Sequence, residues 1–305
     1  TLDRPRKPRS GGWSMKRSRC SWRATPLRPC APRSARHGAD AVTPPRQDRW
    51  GELQAELDRW SAAGRRIRLW LRDDDAIAAS PALDRLATLP ERHGLPVLLA
   101  VIPMLAEPSL GRALRQMPLL RPCQHGTWHR NHAEPPAKKS EFGPSREAVE
   151  LDAEIATASR HLADVLETAP LPVFVPPWNR IDPAHAARLP ALGFHALSCF
   201  RGYRLGPEGG PRLINTALDI IDWTSRTGRQ SDDLLAECCR LLGSLRAEGD
   251  GDTAFGLLLH HRDHDEMAWG FLDAFLAASL AHPAVIPGDP RQMVNDRISQ
   301  AAPSR

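Results

Sequence analysis

Apolar positions along the chain follow first a helical period and then a strand period. Trp50, Leu53, Leu57 and Trp60 share one helical face, and Gly64 stops the run. In 66-RIRLWLR-72, the alternation of Ile67, Leu69 and Leu71 predicts a strand that ends in three aspartates. A helix over about 81–93 follows, closed by Gly94. The unbroken apolar run 96-PVLLAVIP-103 has the length of a strand covered on both faces, as parallel sheets have. The alternation then predicts a strand near 119–123, a helix near 145–168, the strand 171-LPVFV-175, a helix near 183–191 and a strand near 194–199. Beyond these come an apolar run in 213-LINTALDIID-222, a helix near 231–247, the strand 254-AFGLLLH-260 and a helix near 265–281. Strands alternating with helices imply right-handed βαβ units. Seven or eight strands suffice for a closed or nearly closed α/β barrel, whose active site lies at the C-terminal strand ends.

Charge divides the 305 residues differently. Residues 1–50 hold 13 Lys and Arg against 3 Asp and Glu, leaving 28 against 33 for the remainder, so the formal net charge of +5 belongs to the N-terminal stretch. The mildly acidic body argues against a nucleic-acid-binding core. Residues 1–47 combine Arg, Pro, Ser and Gly with few aliphatics and cannot bury enough surface to offset chain entropy. They are expected to be a disordered tail, with a basic arm for anionic polymers or lipid as the functional alternative. A barrel domain over 48–288 and a flexible tail over 289–305 complete the expected organisation. No secretion signal or membrane-length apolar run is visible, which gives an expectation of a cytoplasmic protein, although the chain does not begin with Met. The six cysteines include no CxxC pair, a pattern of unpaired thiols in a reducing compartment.

Polar clusters fall where the barrel geometry requires them, just after strands. Asp73, Asp74 and Asp75 end the first strand, and His125 and His129 follow the third. Pro176 to Arg180 follow the fourth, Asp219, Asp222 and Trp223 end another, and His260 and His261 end the last. Any one cluster could be a helix cap or a satisfied histidine; five together point to a shared site. One aspartate and two histidines can bind a divalent metal while leaving positions open for water and a substrate oxygen. A second aspartate could take a proton from that water, and a histidine across the pocket could protonate the leaving group. Such a site hydrolyses an acyl bond.

The ordered motifs resemble the polysaccharide deacetylase (NodB-homology) family of carbohydrate esterases, over about residues 65–285. The family's Thr-Phe-Asp-Asp-Gly motif corresponds to "RDDDA", which implies Asp74 as general base and Asp75 as metal ligand; a one-residue slip gives Asp73 and Asp74 instead. Its His-Ser/Thr-x-x-His motif matches 125-HGTWH-129, implying His125 and His129 as ligands, with Gly126 in place of the hydroxyl residue and His132 outside the site. The Arg-x-Pro-aromatic motif looks like 175-VPPW-178, where Trp178 forms a pocket wall and an oxyanion donor. Val175 stands where the arginine belongs, so Arg72 or Arg180 must supply the guanidinium that orients the base. The Asp-x-x-Asp-Trp motif is 219-DIIDW-223, with Trp223 lining the pocket. The Leu-x-His motif is 258-LLH-260, implying His260 as general acid with His261 as fallback and Asp222 as the acidic neighbour that keeps it protonated.

The resemblance implies a distorted (β/α) barrel of about seven strands, a divalent metal that is usually Zn2+, and hydrolysis of acetyl groups on sugars. Ala76, Gly126 and Val175 mark a divergent branch. The expected partner is an acetylated sugar or related small amide, with no nucleic acid at the folded domain and no expectation for the oligomeric state. Two alternatives remain: hydrolysis of another non-peptide C–N bond, and a catalytically inactive barrel that binds glycan or acidic polymers.

Overall fold

The computed structural model describes residues 48–295. The expected N-terminal tail lies outside the described residues. The strands are β1 (Ile67–Ala76), β2 (Val97–Val101), β3 (Leu120–His125), β4 (Leu171–Val175), β5 (Ala196–Leu197), β6 (Arg212–Leu213), β7 (Leu218–Asp219), β8 (Ile221–Asp222), β9 (Thr227–Gly228), β10 (Thr253–Leu259) and β11 (Val285–Pro287). The helices are α1 (Arg49–Ala62), α2 (Pro81–His93), α3 (Pro108–Leu114), α4 (Ala148–Leu166), α5 (Pro183–Ala186), α6 (Ser231–Glu248), α7 (Glu266–Leu280) and α8 (Pro290–Asn295).

The main sheet runs β6-β5-β4-β3-β2-β1-β10-β7 with every pairing parallel, and β11 joins the start of β1. Its two outermost strands are consecutive pieces of one segment. Ile214 and Thr216 donate backbone bonds to Leu197 and Cys199 beside β5, whereas Ala217 donates to Gly256 in β10. Residues 212–219 therefore cross from one edge of the sheet to the other and bridge the two ends of a distorted (β/α) barrel. The run 213–222, which reads as a single apolar stretch, is in fact β6, β7 and β8, the last paired antiparallel with β9.

Side chains alternate across the strands as their period of two requires. Trp70, Leu98, Ala100, Cys123, Val173 and Val175 form one buried cluster, while Leu69, Leu71, Val97 and Leu99 face a second cluster built with α1, α2, α6 and α7. The predicted face of α1 is seen: Leu53, Leu57 and Trp60 are buried there. Ser80 caps α2, and Gly94 ends it in the left-handed conformation.

Two expectations change. The helix near 183–191 is short, because α5 is followed by a separate 3-10 turn at Leu189–Leu192 that contains Pro190. The flexible tail expected from 289 does not begin there: α8 starts at Pro290, and Met293 and Val294 pack into the cluster around Trp70. Cys123, Cys199, Cys238 and Cys239 are unpaired thiols, and no described helix is long and apolar enough to cross a membrane.

Candidate functional site

Three adjacent aspartates at the end of β1 point to three different partners, because a bulge interrupts the strand. Asp73 pairs with Leu99 of β2 and Ala76 with Val101, so β1 carries one residue more than its neighbour over this stretch. Asp75 takes up the difference with a φ of 70°. Asp74 keeps the inward direction of Arg72, two residues earlier, whereas Asp75 turns toward the histidines after β3.

Asp75, His125 and His129 each offer one ligand atom, and the three atoms lie within 4.8 Å of one another. Asp75 Oδ1 is 3.0 Å from His125 Nε2 and 3.4 Å from His129 Nε2, yet it is buried and accepts no well-directed hydrogen bond. His125 Nδ1 lies 2.9 Å from the carbonyl of Val175. If it donates there, its proton is fixed on Nδ1 and Nε2 is left as a lone pair. Two imidazoles and an under-satisfied carboxylate oxygen converging on one point fit a divalent cation. Burial raises the Asp75 carboxyl, but the His125 contact and the neighbouring imidazole charges outweigh it and hold the group below its ordinary range, ready to ligate as an anion. Burial and the charge of His125 lower the His129 pKa toward the neutral form that a ligand requires, whereas for His125 the Asp74 and Asp75 carboxylates outweigh burial and raise it, so a cation arriving there would displace a proton from that ring. Of the registers open for the aspartates, the structure brings Asp75 to the histidines, with Asp74 behind it and Asp73 directed elsewhere.

Asp74 is buried against Arg72. Arg72 Nε and Nη2 fork onto its two oxygens at 2.9 Å each. The other guanidinium protons go to Asn179 Oδ1, Ser198 Oγ and the carbonyls of Ser198 and Cys199. Arg72 is wholly buried, and only such complete pairing makes a buried guanidinium tolerable. Arg180, the other guanidinium considered, turns outward and donates to the Lys139 carbonyl. Val175 is buried core, and its carbonyl serves His125.

Asp73 accepts from both the backbone N–H and the ring of His261, whose Nδ1 is 2.5 Å away. That buried pair takes His261 away from the pocket. His260 instead sits edge-on to Trp223, with ring centroids 4.5 Å apart and its Nδ1 unpartnered. The acidic group that faces His260 is Asp219 rather than Asp222. Burial raises the Asp219 carboxyl, opposed first by the charge of His260. Asp222 is exposed and spends its oxygens on Thr224 N and Ser225 Oγ, because the kink between β7 and β8 turns it outward. Trp223 Nε1 donates to Asp219 Oδ2 at 2.8 Å, and Trp178 packs its ring on His129 at 4.4 Å. His132 is tied to the Ser140 carbonyl through its backbone and lies outside the cluster.

The loop carrying both histidines is held by Glu141, which sequence reasoning did not single out. Its buried carboxylate accepts from the backbone N–H groups of Thr127, Trp128 and Arg130 and from Thr127 Oγ1, at 2.9–3.2 Å. Backbone strain concentrates in the same place. Of the six non-glycine residues with positive φ among the described residues, Asp75, His129, Trp178 and Asn179 all border this site.

No family model matches the sequence, and no curated protein is significantly similar to it. Solved structures are similar in fold. A protein assigned as a polysaccharide deacetylase from Mycobacterium smegmatis superposes with a TM-score of 0.56 at 14% identity, over 76% of this chain and 90% of its own. Another so assigned, from Pseudomonas aeruginosa PAO1, gives 0.55 at 16% identity over 78% and 92%. PuuE allantoinase gives 0.56 at 16% identity over 78% and 91%. The architecture is thus a distorted (β/α) barrel of the kind seen in these structures. Among such barrels, this chain shares the fold of the polysaccharide deacetylase structures and of an allantoinase.

Proposed function

We propose that the protein is a metal-dependent hydrolase that removes an acetyl group from an N- or O-acetylated saccharide. The observation that carries this reading is the convergence of Asp75, His125 and His129 at the strand ends, with the Arg72-held Asp74 beside them and His260 among the groups whose charge acts on Asp75. A divalent ion held by these three residues, with Zn2+ matching a set of two imidazoles and one carboxylate, would acidify a water and polarise the acyl oxygen.

The remaining chemistry belongs to the chain. Asp74 takes the proton from the attacking water, and its orientation is fixed because both oxygens are pinned by the Arg72 fork. His260 donates a proton to the departing nitrogen or oxygen. Asp219 lies close enough for its charge to interact with that ring, and Trp223 walls it on one side. Trp178, in a left-handed backbone conformation after β4, covers His129 and narrows the entrance over the acyl group.

Acetate release decides the matter. The purified protein, loaded with Zn2+ or Co2+, is offered acetylated amino sugars, acetylated xylose oligomers and small cyclic amides. Acetate from a sugar supports this reading. Ring opening of an amide with no acetate would move the assignment to another C–N bond, and inactivity on every substrate with metal bound would leave a binding protein.

A further inference from the structure

Among the described residues the His260 ring makes no hydrogen bond: its Nδ1 is buried without a partner, and the ring packs edge-on against Trp223. A general acid must nonetheless come within about 3 Å of the atom it protonates. The direction of this ring is therefore set by the backbone that carries it.

That backbone has left the sheet. The ladder between β1 and β10 ends at the pair Asp73 and Leu259, because β1 bulges over the next residues and Asp75 turns to a positive φ. His260 follows directly, with no rung opposite it. Two side-chain links stand in for the missing rungs. Asp73 Oδ2 accepts the backbone N–H of His261 at 2.8 Å while its Oδ1 meets the His261 ring, and both residues are buried. In the opposite sense, Arg262 Nη1 donates to the backbone carbonyl of Asp75 at 3.1 Å. Inside the loop, His264 Nε2 accepts the His260 N–H at 3.3 Å and Asp263 N donates to the His260 carbonyl. One link thus starts beside the base Asp74 and the other ends on the ligand residue Asp75. Where the resembling motif has phenylalanine this chain has Asp73, and an aromatic side chain could not accept the His261 N–H in this way.

We infer that Asp73, His261 and Arg262 are positioning residues for the general acid, fixing His260 relative to the metal-binding end of the site. The inference takes the role of His260 from the hydrolase reading, in which the ring gives its proton to the departing oxygen as the acyl C–O bond breaks.

Two esters and one spectrum test this on the full-length protein saturated with Co2+. 4-Nitrophenyl acetate releases a phenolate that departs without a proton, whereas xylose tetraacetate releases an alkoxide that needs one. Asp73→Asn and Arg262→Met should keep the metal, lose about tenfold or more in kcat on xylose tetraacetate and stay within about twofold of wild type on the nitrophenyl ester. His261→Asn, whose amide can donate from the place of the ring Nδ1, should keep most of the rate on both. The shifts that bound Co2+ induces in the His260 ring protons, assigned by their loss in His260→Ala, should move in Asp73→Asn and Arg262→Met and stay near wild type in His261→Asn. Arg262 is exposed, so its variant carries the test should Asp73→Asn fail to fold.

Parallel losses on both esters, no loss on either, a wild type that cleaves only the nitrophenyl ester, or unmoved His260 shifts would each overturn the inference, and failure to bind Co2+ would overturn it together with the metal site. Moved shifts in a protein whose wild type cleaves neither ester leave the positioning role standing without the hydrolase. Cleavage of both esters by the wild type, matched by all three variants, leaves the hydrolase standing without the positioning role.

Discussion

The carboxylate of Glu141 occupies the space that a side chain on Gly126 would need: a Cβ at residue 126 would lie 2.3 Å from Glu141 Oε2 and 2.6 Å from Pro177 Cδ. Gly126 has a φ of 57°, so backbone conformation and packing make the same demand. Where the resembling family has a hydroxyl residue, this chain uses glycine and brings in a carboxylate from 15 residues downstream. Gly126→Ser is therefore expected to be damaging, at about 1–3 kcal/mol from overpacking alone, with added strain from the positive φ. A melting curve measures the loss, and an unchanged melting temperature would refute the packing account.

Glu141→Ala should lower metal affinity as well as stability. It leaves the N–H groups of Thr127, Trp128 and Arg130 without their acceptor, and these lie between or beside the two candidate histidine ligands. Groups that orient ligands typically account for about 10–100-fold in metal affinity. Glu141→Gln keeps one strong acceptor and should fall between the two. Competition with a chromophoric chelator reads the difference, and wild-type affinity in both variants would remove Glu141 from any role at the site.

Much of the barrel was legible because its signals are local. The span of α2, the α1 face of Leu53, Leu57 and Trp60, and β1 with its terminal aspartates all follow from period and punctuation within a dozen residues. The pairing of Asp75 with His125 and His129 was legible as a motif order. What was not legible depends on non-local geometry. Glu141 sits in an irregular loop with no period and is buried only because the histidine loop folds over it. Asp219 and Asp222 are three residues apart, and which of them faces the pocket is decided by the break between β7 and β8, hidden inside an apolar run that reads as one strand. The six residues of α8 are too few for a helical period to show.

Asp74, Asp75 and His260 should separate experimentally. Asp75→Asn weakens a ligand, so the protein should be metal-poor and partly rescued by added zinc. Asp74→Asn and His260→Ala should retain metal and lose about 10²–10⁴ in rate, as expected for a lost base or acid. Metal analysis beside steady-state kinetics distinguishes them. Metal lost from Asp74→Asn and retained in Asp75→Asn would reverse the two roles.

Arg72 offers a sharper test of the base. Arg72→Met leaves the buried Asp74 carboxylate without its fork, which typically costs about 3–5 kcal/mol when a buried pair is broken. The double variant Arg72→Met/Asp74→Asn removes the stranded charge and should recover part of that loss while staying inactive. Arg72→Lys keeps the charge but cannot fork onto both oxygens, so it should fold and turn over slowly. Additive destabilisation in the double variant would show that the two residues do not act as a pair.

The Asp73 and His261 pair should appear in the pH dependence of stability. Burial pushes the His261 imidazole down, but the Asp73 charge and hydrogen bond outweigh it, so the folded-state pKa stands above the ordinary 6.5. A histidine raised in this way binds its proton more tightly folded than unfolded. Its stabilisation is complete below about pH 6.5, the unfolded value, and drains away as pH rises through the higher folded value. Asp73→Asn removes the partner and leaves burial and the Arg262 charge opposed only by the charge of Asp75, so its folded pKa should fall and the slope in that window should flatten or change sign. Melting temperatures of both proteins, taken in steps from pH 5.5 to 8.5 with metal removed by chelator, give the comparison. The gap between wild type and Asp73→Asn should be widest at the acidic end and narrow with rising pH; a gap that is constant across the range would mean that the imidazole in the native protein is neutral and that the contact is an ordinary hydrogen bond.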